Sequence, residues 1–270
     1  MRYDRSLFFV LIFKSIITTQ VLPQQSIKME FGNGTSSLSN FSIKVQDDDN
    51  SFQIDIKRLR STLRDLDMQF EEGYNNEFIK MLLNLASVSG DEISIIPQNN
   101  EYLPTIDVGK LTYSLNDWDI HIAKDGPVGS PTLSAKASLQ RFKFVPPRNL
   151  TKNMSQDEWN IFRVFFQDGS LSIKKLSVDI IVDENSILNL NAQIDLPVGK
   201  ANINSKLSIP SNLQTEPYIE STEINLTSLT PGLREIIDEY LVSSNEIPIR
   251  KKGTGYQLRF RGELDNPRFY

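Results

Sequence analysis

The sequence predicts a mainly β protein, in which a curved or twisted antiparallel sheet is partly covered by about three helices. Two observations lead to this fold class. Through most of the chain, apolar residues recur at every second position, which gives a strand one apolar face and one polar face. Three shorter segments instead place apolar residues at the spacing of a helix.

The clearest alternation lies between Asp168 and Pro210, where Asn, Asp, Ser and Lys separate the apolar residues. The pattern predicts three consecutive strands whose apolar faces must be buried in a core, under helices or against a ligand. The apolar members of these strands are Leu176, Val178, Ile180 and Val182; Leu188, Leu190, Ala192, Ile194 and Leu196; and Ala201, Ile203, Leu207 and Ile209.

The first 25 residues have the composition of an export signal. Arg2 and Arg5 precede an unbroken apolar segment at 7–13, and Lys14 separates this segment from a second one, 15–22, that ends before Pro23. This arrangement predicts a signal peptide or signal anchor over residues 1–25, and a cleaved signal fits it better than a permanent anchor. The remaining chain is expected to form an N-terminal β-rich part, 26–145, and a C-terminal β part with two helices, 146–270. The two parts could also be one continuous domain.

In the N-terminal part, two alternating segments flank the polar run 47–50 and predict a hairpin. Residues 59–70 fit either a helix or a strand, because both spacings collect apolar side chains on one side, and a strand is favoured. Further alternation over 102–145 predicts more strands.

Three helices are expected. The first covers 77–86, with Asn75 or Asn76 as its cap. The second covers 157–167 and begins after a capping box formed by Ser155 and Glu158. The third covers 231–242, where Thr230 can cap and Pro231 takes the first helical position.

Composition excludes several kinds of chemistry. The chain has no cysteine, so it has no disulfide, thiolate metal site or cysteine nucleophile. Its net charge of −5 and the absence of a basic stripe argue against nucleic-acid binding. The one histidine, His121, is expected to point to solvent beside Asp119, and no nucleophile elbow or phosphate-binding loop is present. We therefore expect no enzymatic activity, no cofactor and no metal.

Two segments carry a resemblance to a known family. One is Asp168-Gly169-Ser170-Leu171-Ser172-Ile173, which leads to the strand 188–196 ending in Ile194-Asp195-Leu196; the other is the ending 256–268, which contains Gly262-Glu263-Leu264-Asp265-Asn266-Pro267. Over residues 155–270 the chain resembles the C-terminal part of the AsmA-like bacterial envelope proteins. The N protein of some type II secretion systems is similar to the same segments.

The resemblance implies an exported protein, periplasmic or anchored to the inner membrane and facing the periplasm, with an apolar concave sheet surface and a role in outer-membrane assembly or lipid transport. The possible partners are lipid and envelope or secretion-machinery proteins. The alternative is a structural component of a type II secretion or other envelope machine that binds no small molecule. Leu188, Leu190, Ile194, Leu196, Ile203 and Leu207 are the candidate apolar ligand face.

Overall fold

The computed structural model describes residues 26–47, 50–71, 78–98, 103–123, 126–127, 132–147, 150, 154–210, 217–242 and 248–270. Within these ranges, fourteen strands form one antiparallel sheet. They are β1 (Ser26–Phe31), β2 (Gly34–Asp47), β3 (Asn50–Glu71), β4 (Phe78–Pro97), β5 (Thr105–Ala123), β6 (Gly126–Pro127), β7 (Thr132–Val145), β8 (Leu171–Val182), β9 (Ile187–Leu196), β10 (Gly199–Ser208), β11 (Tyr218–Thr227), β12 (Arg250–Lys252), β13 (Gly255–Glu263) and β14 (Pro267–Phe269).

The sheet is a meander in which strands adjacent in sequence are mostly adjacent in space. β1 and β2 both pair with β3 and together form one edge, while β12 and β14 both pair with β13 and form the other. β6 adds two residues beside the end of β5. β7 pairs with β8, so residues 26–145 and 146–270 contribute to the same continuous sheet. The hairpin expected around 47–50 is formed by β2 and β3, and the strand favoured over 59–70 lies within β3.

Two short helices accompany the sheet. α1 (Gln156–Phe165) starts at the predicted capping box: the Glu158 backbone N–H donates to the Ser155 hydroxyl, and the Ser155 N–H donates to the Glu158 carboxylate. α2 (Pro231–Ile236) has the expected proline in its first turn and continues as a π-helical turn, Ile237–Val242. The Thr230 side chain makes no capping hydrogen bond. The second and third helices are thus confirmed in place, although the third is irregular.

The prediction of a helix over 77–86 was wrong, because this segment belongs to β4. Within β4, the alternation of apolar side chains shifts by one position, a shift that we call a change of phase. Met81 and Leu83 occupy odd positions, whereas Ala86 and Val88 occupy even ones. A change of phase inside a strand produces intervals of three residues, which imitate helical spacing. Asn75, Asn76 and Glu77 lie outside the described residues.

This change of phase recurs along two lines that cross part of the sheet, between β2 and β8, and we call these lines creases. At the first crease, Asn40, Glu92 and Arg141 on alternate strands adopt left-handed backbone conformations, with φ of 51°, 49° and 52°. At the second, Asp65 and Asp117 do the same, with φ of 47° and 50°. At most of these residues the pairing resumes in the same register, as where Ile56 pairs with Ile93 and Arg58 with Asp91 on either side of Glu92. At Asp117 the register of β5 with β7 shifts between Asn116 and Asp119.

Each crease keeps the apolar side chains on one face of the sheet. Residues three apart in a regular strand project to opposite faces. Across the first crease, however, a Cβ built on Gly90 would lie 2.7 Å from Ile93 Cδ1, which places Gly90 and Ile93 on the same face. The left-handed residue and its neighbour therefore form a polar step between two apolar segments that share a face.

A packed core forms only at the corner of the sheet near α2. There α2 and the π-helical turn cover the ends of β10, β11 and β13, and the partly buried Val164, Phe165, Leu196, Leu226, Leu241, Val242 and Ile249 pack against them. The buried members of this cluster are Val198, Leu229, Leu233, Ile237 and Tyr256. Over the rest of the described sheet, buried apolar residues are few, namely Met68, Leu83, Val182 and Ile219.

Gly109 tests the first crease, because it lies opposite Arg141 and contacts its side chain. In Gly109→Ala, the new Cβ would lie 2.9 Å from Arg141 Cβ, too close for an unchanged backbone. We expect the free energy of unfolding, measured by urea denaturation, to fall by about 1–3 kcal/mol. Gly32→Ala is the control, because its Cβ meets no atom within 4 Å. Equal stabilities for the two variants would contradict this account of the crease.

Candidate apolar binding face

One face of the sheet, which we call the apolar face, collects the alternating side chains of ten neighbouring strands. Directly paired residues project to the same side, so the face can be followed from strand to strand by register. One complete row across it is Leu38, Leu59, Gly90, Leu111, Leu139, Leu176, Ile194, Ala201, Leu226 and Tyr256. Every member is apolar or glycine except for the tyrosine hydroxyl, so no charge interrupts the row.

All six predicted ligand-face residues lie on this face. On β9 they occupy alternate positions, and on β10 they project to the same side, since Leu207 pairs with Leu188 and Ile203 with Ala192. The six are Leu188, Leu190, Ile194, Leu196, Ile203 and Leu207, and all are partly buried. The structure thus brings them together, and their role towards a ligand stays a prediction.

The apolar face extends well beyond these six residues. Several of its side chains on β2, β4 and β5 remain about two-fifths exposed: Ile43 is 39% exposed, Val88 41%, Leu111 39% and Tyr113 44%. A sheet face of this size without a covering layer is unusual for a folded protein and is typical of an interaction surface. The sequence indicated these strands but not that they share one face with β9 and β10.

α1 lies over the part of this face formed by β8 and β9. Its aromatic side chains stack on one another and reach β7: the ring centroids of Trp159 and Phe162 are 5.6 Å apart, those of Phe162 and Phe166 4.0 Å, and those of Phe166 and Phe144 6.3 Å. No residue of α1 is fully buried. The helix therefore covers the face without sealing it.

Beneath α1 is an open apolar cavity of about 540 Å³. Two of the predicted residues, Ile194 and Leu196, form part of its floor. Apart from the Glu158 carboxylate at the helix start, every lining side chain is apolar, so the cavity offers almost no hydrogen-bonding group to a polar ligand. The lining residues are Met154, Glu158, Ile161, Phe162, Phe165, Phe166, Leu171, Ile173, Ile194 and Leu196.

The opposite face is polar. It contains a shallow cavity of about 780 Å³ between β4 and β10, lined mainly by serine, threonine, asparagine, glutamine and lysine side chains. Lys136 Nζ lies 3.3 Å from Asp179 Oδ2 at this cavity, and both side chains are partly exposed to solvent. These residues are the solvated counterpart of the apolar face.

The corner under α2 is held by a polar contact as well as by its core. Lys251 Nζ lies 3.0 Å from Asp238 Oδ1 and 5.9 Å from the centre of the Tyr256 ring. The hydrogen bond from Lys251, together with one from Tyr256, lowers the pKa of Asp238. Burial is the main reason that the pKa of Tyr256 is raised. The contact joins the π-helical turn to β12 and β13.

His121 Nε2 lies 3.4 Å from Asp119 Oδ1 on the polar face, and the imidazole is partly exposed, as expected from the sequence. Within the described ranges, no group of three or more histidine, aspartate or glutamate side chains could hold a metal ion. The helices described here are also too short to cross a bilayer.

Comparisons with known proteins found no match: no family model, no curated protein and no solved structure is significantly similar to this chain.

The capping box leads us to expect that the packing of α1 responds to acid. The Ser155 backbone N–H, followed by its hydroxyl, lowers the pKa of Glu158 below its usual value of 4.5. A group whose pKa is lowered on folding stabilises the fold above its usual pKa, and this contribution is lost as pH falls through the lower, folded value. We expect the fluorescence of Trp159, measured in a Trp118→Phe background, to change as pH falls below about 4.5.

Glu158→Gln is the control for this prediction. Glutamine also fits a capping box but carries no charge, so the fluorescence change below the usual carboxylate pKa is expected to disappear. An unchanged acid transition in Glu158→Gln would show that another group controls α1.

Proposed function

We propose that this protein is a non-enzymatic, exported envelope protein that binds lipid acyl chains along its apolar face, in outer-membrane assembly or lipid transport. We further propose that it is periplasmic, or anchored to the inner membrane and facing the periplasm. The export-like N-terminus and the resemblance of residues 155–270 to AsmA-like proteins support the location.

A single observation carries the binding proposal: the apolar side chains of ten neighbouring strands share one face, and that face is largely uncovered among the described residues. Burying hydrocarbon yields about 0.8 kcal/mol for each methylene group removed from water. A ligand that lies along several strands can therefore bind without any charge or hydrogen bond. An acyl chain has this chemistry.

The cavity under α1 suggests where one end of such a chain would lie. Its lining lacks partners for a headgroup, because Glu158 is its only polar residue. A methyl terminus needs no such partner, whereas a phosphate or sugar left unpaired in the cavity would be costly. We therefore assign the cavity to the hydrocarbon end, with the chain extending over β8 and β9 towards the uncovered strands.

The first test of the binding proposal is native mass spectrometry of the purified protein for co-purified lipid, followed by fluorescent fatty-acid binding. Leu111→Asn places an amide in the middle of the apolar face and is expected to weaken binding severalfold, because the amide must be desolvated. Thr112→Asn changes the neighbouring residue of β5, which lines the polar cavity. Equal binding by the two variants, or binding by neither variant nor the parent, would reject the acyl-binding role.

The second test concerns the cavity. Ile194→Trp fills space beneath α1, whereas Gln193→Trp adds the same side chain on the polar face. If tryptophan displaces two methylene groups, each worth about 0.8 kcal/mol, binding weakens by roughly tenfold in Ile194→Trp alone. Circular dichroism verifies that both variants fold. If Ile194→Trp bound the fatty acid with unchanged affinity, the acyl chain would have to lie elsewhere on the sheet.

The second candidate function is a structural component of a type II secretion or other envelope machine with no small-molecule ligand. The observation that favours it is the long edge strand β2, whose outer side pairs with no other strand in the described part of the sheet. Exposed edges of this kind can add a strand from a partner. Native mass spectra that contain only protein subunits, with no lipid, would favour this candidate.

A further inference from the structure

We propose that β2 pairs antiparallel with β2 of a second copy of this chain, in the register that places Leu38 opposite Phe41. The resulting dimer has a continuous sheet and a continuous apolar face. This inference concerns the edge of the sheet and holds whether or not the face binds lipid.

The two edges of the sheet differ in how they are protected. β12 has only three residues, all basic, and β14 has only three, beginning with Pro267. Short length, positive charge and proline are the usual defences of an edge against pairing. β2 has 14 residues, contains no proline and carries only Lys44 and Asp47 as charged residues. Among the described strands, only β3 pairs with it. This edge is thus the unprotected one.

The crease makes β2 complementary to itself. The crease residues Ser39 and Asn40 stand at the centre of the strand, and the apolar-face positions lie symmetrically around them. These positions are 34, 36 and 38 on one side and 41, 43 and 45 on the other, according to their pairing with β3. When two antiparallel copies place 38 opposite 41, position 36 lies opposite 43 and position 34 opposite 45. A register shifted by one residue would turn these side chains to the opposite face.

Side-chain size and charge also fit this register. On the apolar face, Ser36 lies opposite Ile43 of the second copy and Gly34 opposite Val45, so a small residue meets a larger one at each pair. On the polar face, Ser37 lies opposite Ser42, and Thr35 opposite Lys44. No two like charges are opposed among these pairs, which would otherwise weaken a strand pair. The rows of the apolar face then continue, with the row of Leu38 joining the row of Phe41 in the second copy.

A charge experiment tests the pairing. The double variants Ser37→Lys/Ser42→Lys and Ser37→Glu/Ser42→Lys change the same two exposed positions. In the proposed register, the first opposes lysine to lysine twice, and the second opposes glutamate to lysine twice. Sedimentation equilibrium of the full chain is expected to show a dimer for the parent. Compared with the parent, the dimer dissociation constant is expected to be at least fivefold lower for Ser37→Glu/Ser42→Lys and at least fivefold higher for Ser37→Lys/Ser42→Lys. A parent that is monomeric at all concentrations, or equal dissociation of the two variants, would overturn the proposal.

Cysteine cross-linking tests the register, since the chain has no cysteine of its own. Ser36→Cys and Ile43→Cys are purified separately, mixed and oxidised gently. The heterologous disulfide is expected to dominate, because identical positions lie about 23 Å apart along the strand at 3.3 Å per residue, beyond disulfide reach. Mixing Ser36→Cys with Ser42→Cys is the control, because Ser42 projects to the other face. A dominant disulfide in the control, or only homologous disulfides, would overturn the register.

Discussion

The structure depends on keeping apolar side chains on one face of very long strands. β3, β4 and β5 contain 22, 20 and 19 residues, well beyond the usual length of strands in globular proteins. Strict alternation over such a length has to accommodate the growing twist of the sheet. The creases divide the strands into shorter segments, and each crease restarts the alternation on the same face. The continuous apolar face exists because the creases align from strand to strand.

Each crease is formed by residues of several neighbouring strands. On the first crease, left-handed residues occur on β2, β4 and β7, and the neighbouring strands β3, β5 and β8 contribute Lys57, Gly109 and Lys174, none of which has a positive φ. Charge pairs support the same line, with Lys57 Nζ 2.9 Å from Glu92 Oε1 and Arg58 Nη1 3.9 Å from Asp91 Oδ2. These exposed pairs contribute little stability individually.

Much of the fold could be predicted from the sequence because it is local. Alternation identifies the strands, and the capping box identifies α1, since both depend on residues close in the chain. The segment 77–86 could not be assigned in this way, because a phase change within β4 imitates a helix. Two adjacent polar residues between apolar segments, such as Asp91-Glu92, are the sequence feature that would have revealed the creases. Left-handed conformations at Glu92 and Arg141 are unexpected from local preference, which favours Asn and Asp. The candidate site has the same limits: its part on the β9–β10 hairpin was predictable, whereas its extension to β2 depends on register between distant strands.

The creases also have a mechanical consequence. Between them, the ladder of strand pairs is regular, and at the creases the ladder from β2 to β5 passes over one pair of residues on each pair of strands. The sheet therefore consists of stiff panels joined along lines, and bending is easier at the lines than within a panel, because fewer strand pairs must be distorted there. A surface of this construction can change its curvature while each panel keeps its side-chain arrangement. The positions of a few left-handed residues therefore determine the direction in which the sheet bends most easily.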